Sequence, residues 1–167
     1  MKALLSVFLL SLALTTELFG NPRAGVALPP PNAAAVVIDT RLVLNLKQRR
    51  LYVYRGDKAI ASYRVAIGRK GWETPIGQFS VIQMVRDPAW EHPLTGQIVP
   101  SGGKNPLGAR WIGFWTDGKN SIGFHGTPDE HLIGRAVSHG CVRMRNRDIK
   151  TLFEKVSVGT PVTVLAK

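Results

Sequence analysis

The feature that most constrains the fold is a series of short apolar runs with a period of two residues, separated by polar or glycine-containing turns. The run 42–46 places Leu at every second position, and 51–54 continues the pattern after a basic break. Residues that alternate in this way line one face of a β-strand. Because Arg55-Gly56-Asp57 supplies a turn into a third run at 59–67, the opening predicts consecutive antiparallel strands.

The rest of the chain predicts more short strands and a single clear helix. Further strands are predicted at 79–85, 111–115, 121–124 and 162–165. The helix begins at Asn146 as its N-cap and carries one apolar face formed by Ile149, Leu152, Phe153 and Val156. The segment 86–110 is rich in Pro and Gly and is predicted to be a binding loop or lid. The fold class is therefore mostly β, a single sandwich-like or open-barrel domain with one short helix.

The N-terminal segment predicts export. An apolar run after Lys2 has the length of a signal-peptide core and is short for a membrane span, so 1–27 is interpreted as a signal peptide cleaved between 20 and 27. A retained N-terminal anchor is the alternative. Residues 28–35 are predicted to be a Pro-rich tether and 36–167 the folded domain. The expected location is the periplasm or the cell wall.

The charge of the chain indicates polyanionic surroundings. Lys and Arg number 22 against 11 Asp and Glu, which gives a net charge of +11. Nucleic acid, anionic lipid and an acidic wall polymer all fit this sign. Export excludes nucleic acid as the expected partner and favours the wall polymer.

Residues suited to cysteine catalysis are concentrated in two neighbouring segments. One is His125-Gly126-Thr127 and the other runs from Ser138 to Met144 around Cys141, the single cysteine of the chain. A thiol needs a base or a positive field to become a nucleophile, and a histidine supplies the base. Gly140 has no Cβ and would let a substrate carbonyl approach the N–H groups of Cys141, Gly140 and His139 as an oxyanion site. Arg143 is suited to pair with a substrate carboxylate.

These segments resemble the active-site signature of the L,D-transpeptidase catalytic domain family. The resemblance extends upstream to Val65-Ala66-Ile67-Gly68 and to 74–79, so it covers nearly all of the predicted domain. It implies that Cys141 is the nucleophile and His125 the proton acceptor and donor. The backbone carbonyl of Gly126 would orient His125, while His139 and Gly140 would shape the oxyanion site.

The resemblance also implies how substrate is held. Ser138 would support the loop and, with Arg143, is assigned to substrate binding. Many members of the family have Asn at the position of Arg143, so this contact is where the chain departs from the pattern. No separate wall-binding module is recognised.

The function implied by the resemblance is acyl transfer on peptidoglycan stem peptides. Cys141 would form a thioester, release a terminal D-amino acid and pass the acyl group to an amine of another stem, with neither cofactor nor metal. A β-lactam of the carbapenem type is expected to form an adduct on the cysteine. The alternatives are an L,D-carboxypeptidase, a zinc enzyme using His125, His139 and Cys141 as ligands, and a wall-binding protein without activity. The oligomeric state is left open.

Overall fold

The structure is a computed structural model that describes residues 40–92 and 95–167. Within these ranges the chain forms thirteen short strands, one α-helix and one 3-10 turn at Glu130–Leu132. The helix α1 is Asn146–Phe153. The strands are β1 Thr40–Asn45, β2 Arg50–Arg55, β3 Lys58–Arg64, β4 Ile67–Gly68, β5 Gly77–Ser80, β6 Gln83–Arg86, β7 Trp90–Glu91, β8 Ile98–Val99, β9 Arg110–Thr116, β10 Ser121–His125, β11 Ala136–Ser138, β12 Val142–Arg143 and β13 Pro161–Leu165.

Two sheets form a sandwich around one apolar core. The five-stranded sheet has the order β3-β2-β1-β13-β5 and the four-stranded sheet the order β12-β10-β9-β6. Alternation along β1 and β2 turns Leu42 and Leu51 inward, and both are fully buried. Phe79 of one sheet packs on Phe114 of the other with ring centroids 5.6 Å apart. The mostly β fold with one short helix is confirmed as a sandwich, and the sheets do not close into a barrel.

The opening strands agree with the period-two pattern. β1 and β2 pair antiparallel, with Leu42 opposite Val53, and β2 pairs antiparallel with β3. The last strand inserts beside the first, since β13 runs parallel to β1 with Leu42 opposite Val162. The two ends of the described chain therefore form the centre of the five-stranded sheet.

The prediction of one strand at 79–85 was wrong. The chain forms β5 in the five-stranded sheet, crosses between the sheets at Val81 and Ile82, and forms β6 in the four-stranded sheet. Val81 is buried and its N–H donates to the carbonyl of Thr160, whereas Ile82 is exposed. The sequence does not reveal such a crossing, because the two residues between the strands, Val81 and Ile82, are β-branched and apolar like the residues of a continuous strand.

The helix has the predicted apolar face but not the predicted N-cap. Ile149, Leu152 and Phe153 are buried, as the spacing requires. Arg145 occupies the N-cap position without a side-chain capping bond, and Asn146 is the first helical residue. The N–H of Asn146 donates instead to a carboxylate oxygen of Glu130 at 2.8 Å. A carboxylate from a distant turn therefore caps this helix and complements its positive end.

The predicted signal peptide and tether lie outside the described residues. Within residues 40–92 and 95–167, no helix combines the length and apolar character needed to cross a membrane.

Candidate active site

Parallel pairing of β10 with β12 brings the histidine and cysteine segments together. Phe124 lies opposite Val142, and His125 lies opposite Arg143. Cys141 directly precedes β12, so the register places it beside Gly123 of β10. Its thiol donates to the backbone carbonyl of Ser121 over 3.7 Å. His125 and Cys141 therefore sit on adjacent strands, two residues apart along the ladder, on the same face of the sheet.

The imidazole of His125 is buried and held in one orientation. Its Nδ1 lies 2.6 Å from the carbonyl oxygen of Gly126. A carbonyl only accepts, so Nδ1 carries the proton and Nε2 of the neutral ring keeps its lone pair. The ring also stacks on Trp111, its cross-strand partner, at 6.0 Å between centroids, and the indole N–H of Trp111 donates to the side chain of Gln83.

Burial keeps both reacting groups neutral at rest. It lowers the pKa of His125 to about 4, although the hydrogen bond that the ring donates to the carbonyl of Gly126 raises it, and the charge of Arg143 lowers that pKa further. Burial raises the pKa of the Cys141 thiol, which the N–H of Gly123 and the charge of Arg143 counteract in part. No hydrogen bond joins thiol and imidazole within the described residues. The arrangement suits a thiol deprotonated as it attacks, with Nε2 accepting the proton, rather than a standing thiolate–imidazolium pair.

A short hydrogen-bonded loop places the cysteine. The hydroxyl of Ser138 donates to the carbonyl of Cys141 at 2.5 Å and accepts the N–H of Gly140 at 3.2 Å. Gly140 has φ +110, a conformation that side chains disfavour. Its carbonyl accepts the hydroxyl of Thr74 at 2.8 Å. The N–H and the carbonyl of Gly140 are therefore both hydrogen-bonded within the protein.

This loop corrects the expected oxyanion site. The N–H of Gly140 is already donated to Ser138, so it does not point into the cavity as a free donor. The N–H of Cys141 has no acceptor among the residues that the structure describes. The backbone N–H of Cys141 is thus available to an oxyanion that forms beside it.

Ser138→Ala is expected to impair turnover more than stability. The change removes both bonds of the hydroxyl and releases the carbonyl of Cys141 and the N–H of Gly140, so the nucleophile loses its fixed position. Misplacement of a reacting group by about 1 Å costs about 100-fold in rate. Steady-state kinetics should show this loss mainly in kcat, with Ser138→Thr restoring part of it because a hydroxyl is kept. A wild-type kcat in the alanine variant would contradict this placement role.

His139 lies at the surface of the site rather than at its reacting centre. Its Nε2 accepts from the guanidinium of Arg69 at 2.8 Å, and its ring meets Trp72 edge-on at 4.8 Å. It is exposed, whereas His125 is buried. Across the described ranges no three His, Cys, Asp or Glu side chains converge as metal ligands would, so His125, His139 and Cys141 do not assemble the zinc set considered from sequence.

Arg143 is half-buried and anchored through its backbone. Its N–H and carbonyl form a pair of hydrogen bonds with Ala66, each 2.9 Å long. The positive charge lowers the pKa of both His125 and Cys141. The charge of Arg143 therefore acts on both His125 and Cys141, and its contact with a substrate carboxylate stays a prediction.

A cavity of about 360 Å³ opens beside the cysteine. Its walls include four residues of the predicted binding loop, which are Pro88, Ala89, Trp90 and Leu107. The fully buried side chain of Asn105 holds this loop: its amide donates to the carbonyls of Pro88, Val99 and Pro100, and its oxygen accepts the N–H of Leu107. The remaining lining residues are Gln83, Val85, Trp111, Ser121 and Cys141.

Several residues of the site were not predicted from sequence. The amide of Asn146 accepts the N–H of Ala109 and donates to the carbonyl of Thr127, tying the helix to the binding loop and to the His125 segment. A Cβ on Gly126 would lie 2.2 Å from the Asn146 oxygen, so glycine is required there for packing as well. From sequence alone, Asn146 is interpreted as the N-cap of the helix. No local pattern indicates that its side chain bonds to Thr127 and Ala109, which lie 19 and 37 residues away.

The fold and the site define the class of this protein: a β-sandwich domain with a cysteine that lines a cleft and a carbonyl-oriented histidine on the adjacent strand. Residues 39–164 match the YkuD family, the L,D-transpeptidase catalytic domain. The chain belongs to this family of enzymes.

Relatives of the chain support the same assignment. It is 38% identical over 129 residues to "Putative L,D-transpeptidase YqjB" of Bacillus subtilis, covering 75% of this chain and 71% of that protein. It is 35% identical over 159 residues to "Probable L,D-transpeptidase YbiS" of Escherichia coli K12, covering 84% of this chain but only 50% of YbiS. The chain thus spans about half the length of this second relative.

The fold is shared with solved structures of lower identity. L,D-transpeptidase 3 from Mycobacterium tuberculosis, in complex with a faropenem-derived adduct, superposes with a TM-score of 0.59 at 17% identity. The match covers 75% of this chain and 60% of that one. At this identity the likeness concerns the fold.

Proposed function

We propose that the chain is a cysteine L,D-transpeptidase that acts on peptidoglycan stem peptides through a thioester on Cys141. The observation that carries the proposal is the fixed tautomer of His125. Its Nδ1 proton is committed to Gly126, which leaves Nε2 as an acceptor on the strand adjacent to the nucleophile. The family of the chain supplies the substrate class.

In the proposed cycle the thiol proton passes to Nε2 of His125 as the sulfur attacks the stem carbonyl carbon. The N–H of Cys141 stabilises the oxyanion. The carbon–nitrogen bond to the terminal D-residue then breaks, and His125 returns the proton to the leaving amine. An amine of a second stem attacks the thioester, loses its proton to His125, and regenerates the thiol as the new amide forms. Atoms and charge balance without a further reactant.

Hydrolysis of the same thioester would make the protein an L,D-carboxypeptidase. The two courses differ only in the group that attacks the thioester, which is an amine in one and water in the other. Mass spectrometry of products from tetrapeptide muropeptides separates them. Loss of one D-alanine with dimer formation supports transpeptidation, whereas tripeptide without dimer supports the carboxypeptidase. Unchanged substrate with folded, reduced protein would contradict both.

Export to the periplasm or cell wall is part of the proposal and rests on the apolar N-terminal run after Lys2. A carbapenem adduct on Cys141 is also proposed, since a structural neighbour holds a β-lactam-derived adduct. Fractionation of cells expressing the full chain tests the first point. Retention of the protein in the cytoplasm with its N-terminus uncleaved would contradict it.

A further inference from the structure

The β2–β3 hairpin carries like charges directly opposite each other at both of its ends. Arg50 pairs in register with Arg64, and Arg55 pairs in register with Lys58. Like charges on directly opposed strand residues destabilise a sheet. Within the described ranges, no carboxylate lies within ion-pairing distance of any of the four. The hairpin therefore concentrates positive charge that no carboxylate of the described residues offsets, and this charge would attract a bound anion.

The excess of basic over acidic residues extends over the first three strands. Residues 40–64 contain a single carboxylate, Asp57, whose side chain is fully exposed and lies 3.7 Å from Arg41. The basic residues of the same range number seven: Arg41, Lys47, Arg49, Arg50, Arg55, Lys58 and Arg64. A third of the basic residues of the whole chain is thus collected on one small region, which concentrates its positive potential.

Two aromatic rings lie between these charges on the outward face. Leu51 and Val53 of β2 are fully buried, so alternation turns Tyr52 and Tyr54 outward. Their ring centroids are 6.5 Å apart, and the guanidinium of Arg41 lies 4.2 Å above the ring of Tyr54. Half-exposed tyrosines offer an apolar ring and a polar edge, which suits stacking against the apolar face of a sugar.

This surface is separate from the catalytic cleft. Tyr52 and Tyr54 lie on the outer side of the five-stranded sheet, whose inner side packs on the four-stranded sheet. His125 and Trp111 belong to that second sheet, on the face turned away from the core residues Ile112 and Phe124. A polymer bound to one surface would leave the other open.

We propose that a Tyr–Arg face, formed by Arg41, Arg50, Tyr52 and Tyr54, is a non-catalytic docking surface for polymeric peptidoglycan. The rings stack on sugars of the glycan strand, and the guanidinium groups pair with carboxylates of its peptide stems. The identity of the polymer rests on the proposed function. The face holds the insoluble polymer, while the cleft acts on single stems.

Arg50→Glu tests the proposal sharply, because it converts the cross-strand Arg50–Arg64 pair from like to opposite charge. The variant is expected to have a higher Tm than the parent and to bind purified, phosphate-stripped peptidoglycan about tenfold less, the effect of losing one charge-assisted hydrogen bond. Binding is measured by co-sedimentation in a Cys141→Ala background, so that turnover does not alter the polymer. Loss of binding together with a higher Tm cannot come from misfolding.

Lys119→Glu is the matched control, since it makes the same change of charge in the exposed turn between β9 and β10. It should bind as the parent does. Equal loss in both variants, or unchanged binding of Arg50→Glu, would overturn the proposal in favour of unspecific charge attraction or of no role. Retention only on polymer that still carries phosphate chains would also overturn it, because the partner would then be a phosphate polymer.

The aromatic part is tested by Tyr52→Thr/Tyr54→Thr, which keeps strand preference and charge but removes both rings. Reduced retention at unchanged net charge supports stacking, and full retention would overturn the sugar contact. Turnover of soluble muropeptides by Arg50→Glu with Cys141 intact should equal that of wild type. Absence of turnover in wild type itself would contradict the proposed function alone, since the binding result does not depend on activity.

Discussion

Cys141→Ser is expected to reduce kcat/KM for stem tetrapeptides by about 10⁴-fold or more, the range found when a catalytic nucleophile is removed from a comparable site. A hydroxyl is far less acidic than a thiol, and His125 is a weak base because burial lowers its pKa to about 4. Such a base does not activate serine. The rate of D-alanine release from muropeptides measures this effect.

The cysteine variant should remain folded, because serine is nearly isosteric and the side chain is only partly buried. Its Tm should therefore lie close to that of wild type. Intact-mass analysis with a carbapenem is an independent measurement, in which an adduct forms on wild type and on Lys119→Glu but not on Cys141→Ser. A variant that keeps a tenth of wild-type turnover would show that the cysteine is not the nucleophile.

The parts of the fold that sequence predicts well are those fixed by local alternation. β1 and β2 follow from the placement of Leu at every second position, and the buried face of α1 follows from helical spacing. The crossing at Val81 was missed because Val81 and Ile82 have the strand-forming character of a continuous strand. β5 and β6 are distinguished as two strands only because β5 pairs with β13 and β6 pairs with β9. These pairings belong to the tertiary structure and cannot be read from the local sequence.

The candidate site also contains some residues that the sequence predicts and others that only the tertiary structure reveals. Cys141, His125 and Gly126 follow from a motif, and the structure brings the two segments together through the β10–β12 pairing. The roles of Trp111 and Asn105 could not be predicted from a motif, because each role depends on which residues face the side chain from another strand or from the rest of the loop. Trp111 supports the catalytic ring only through its register opposite His125.

The loop before the cysteine shows why a motif predicts residues better than it predicts bonds. Ser138 and Gly140 were assigned from the pattern, and the structure places both in the loop before Cys141. The backbone donors left for an oxyanion differ from the prediction, because the hydroxyl of Ser138 accepts the N–H of Gly140. A positive φ at Gly140 allows this compact turn, and sequence does not indicate which peptide groups the turn consumes.

His125→Gln is expected to lower kcat/KM by about 10³-fold or more, because glutamine has no nitrogen lone pair to accept the thiol proton. In wild type the acidic limb of kcat/KM should lie near pH 4, where His125 becomes protonated, rather than near the ordinary histidine value of 6.5. A pH–rate profile with soluble muropeptide measures this limb. An acidic limb at pH 6.5 would contradict a buried neutral base.

The same lowered pKa predicts how wild-type stability depends on pH. Above 6.5 His125 is neutral in both the folded and the unfolded chain, so it has no effect on the pH dependence. As the pH falls from 6.5 towards 4, the unfolded chain binds a proton that the buried imidazole does not, and stability is lost. The difference between the two pKa values corresponds to about 3 kcal/mol of unfolding free energy. Urea unfolding of wild type and His125→Gln at several pH values should show this loss in wild type and a smaller one in the variant. Identical pH dependence in the two proteins would mean that His125 is solvated and titrates normally.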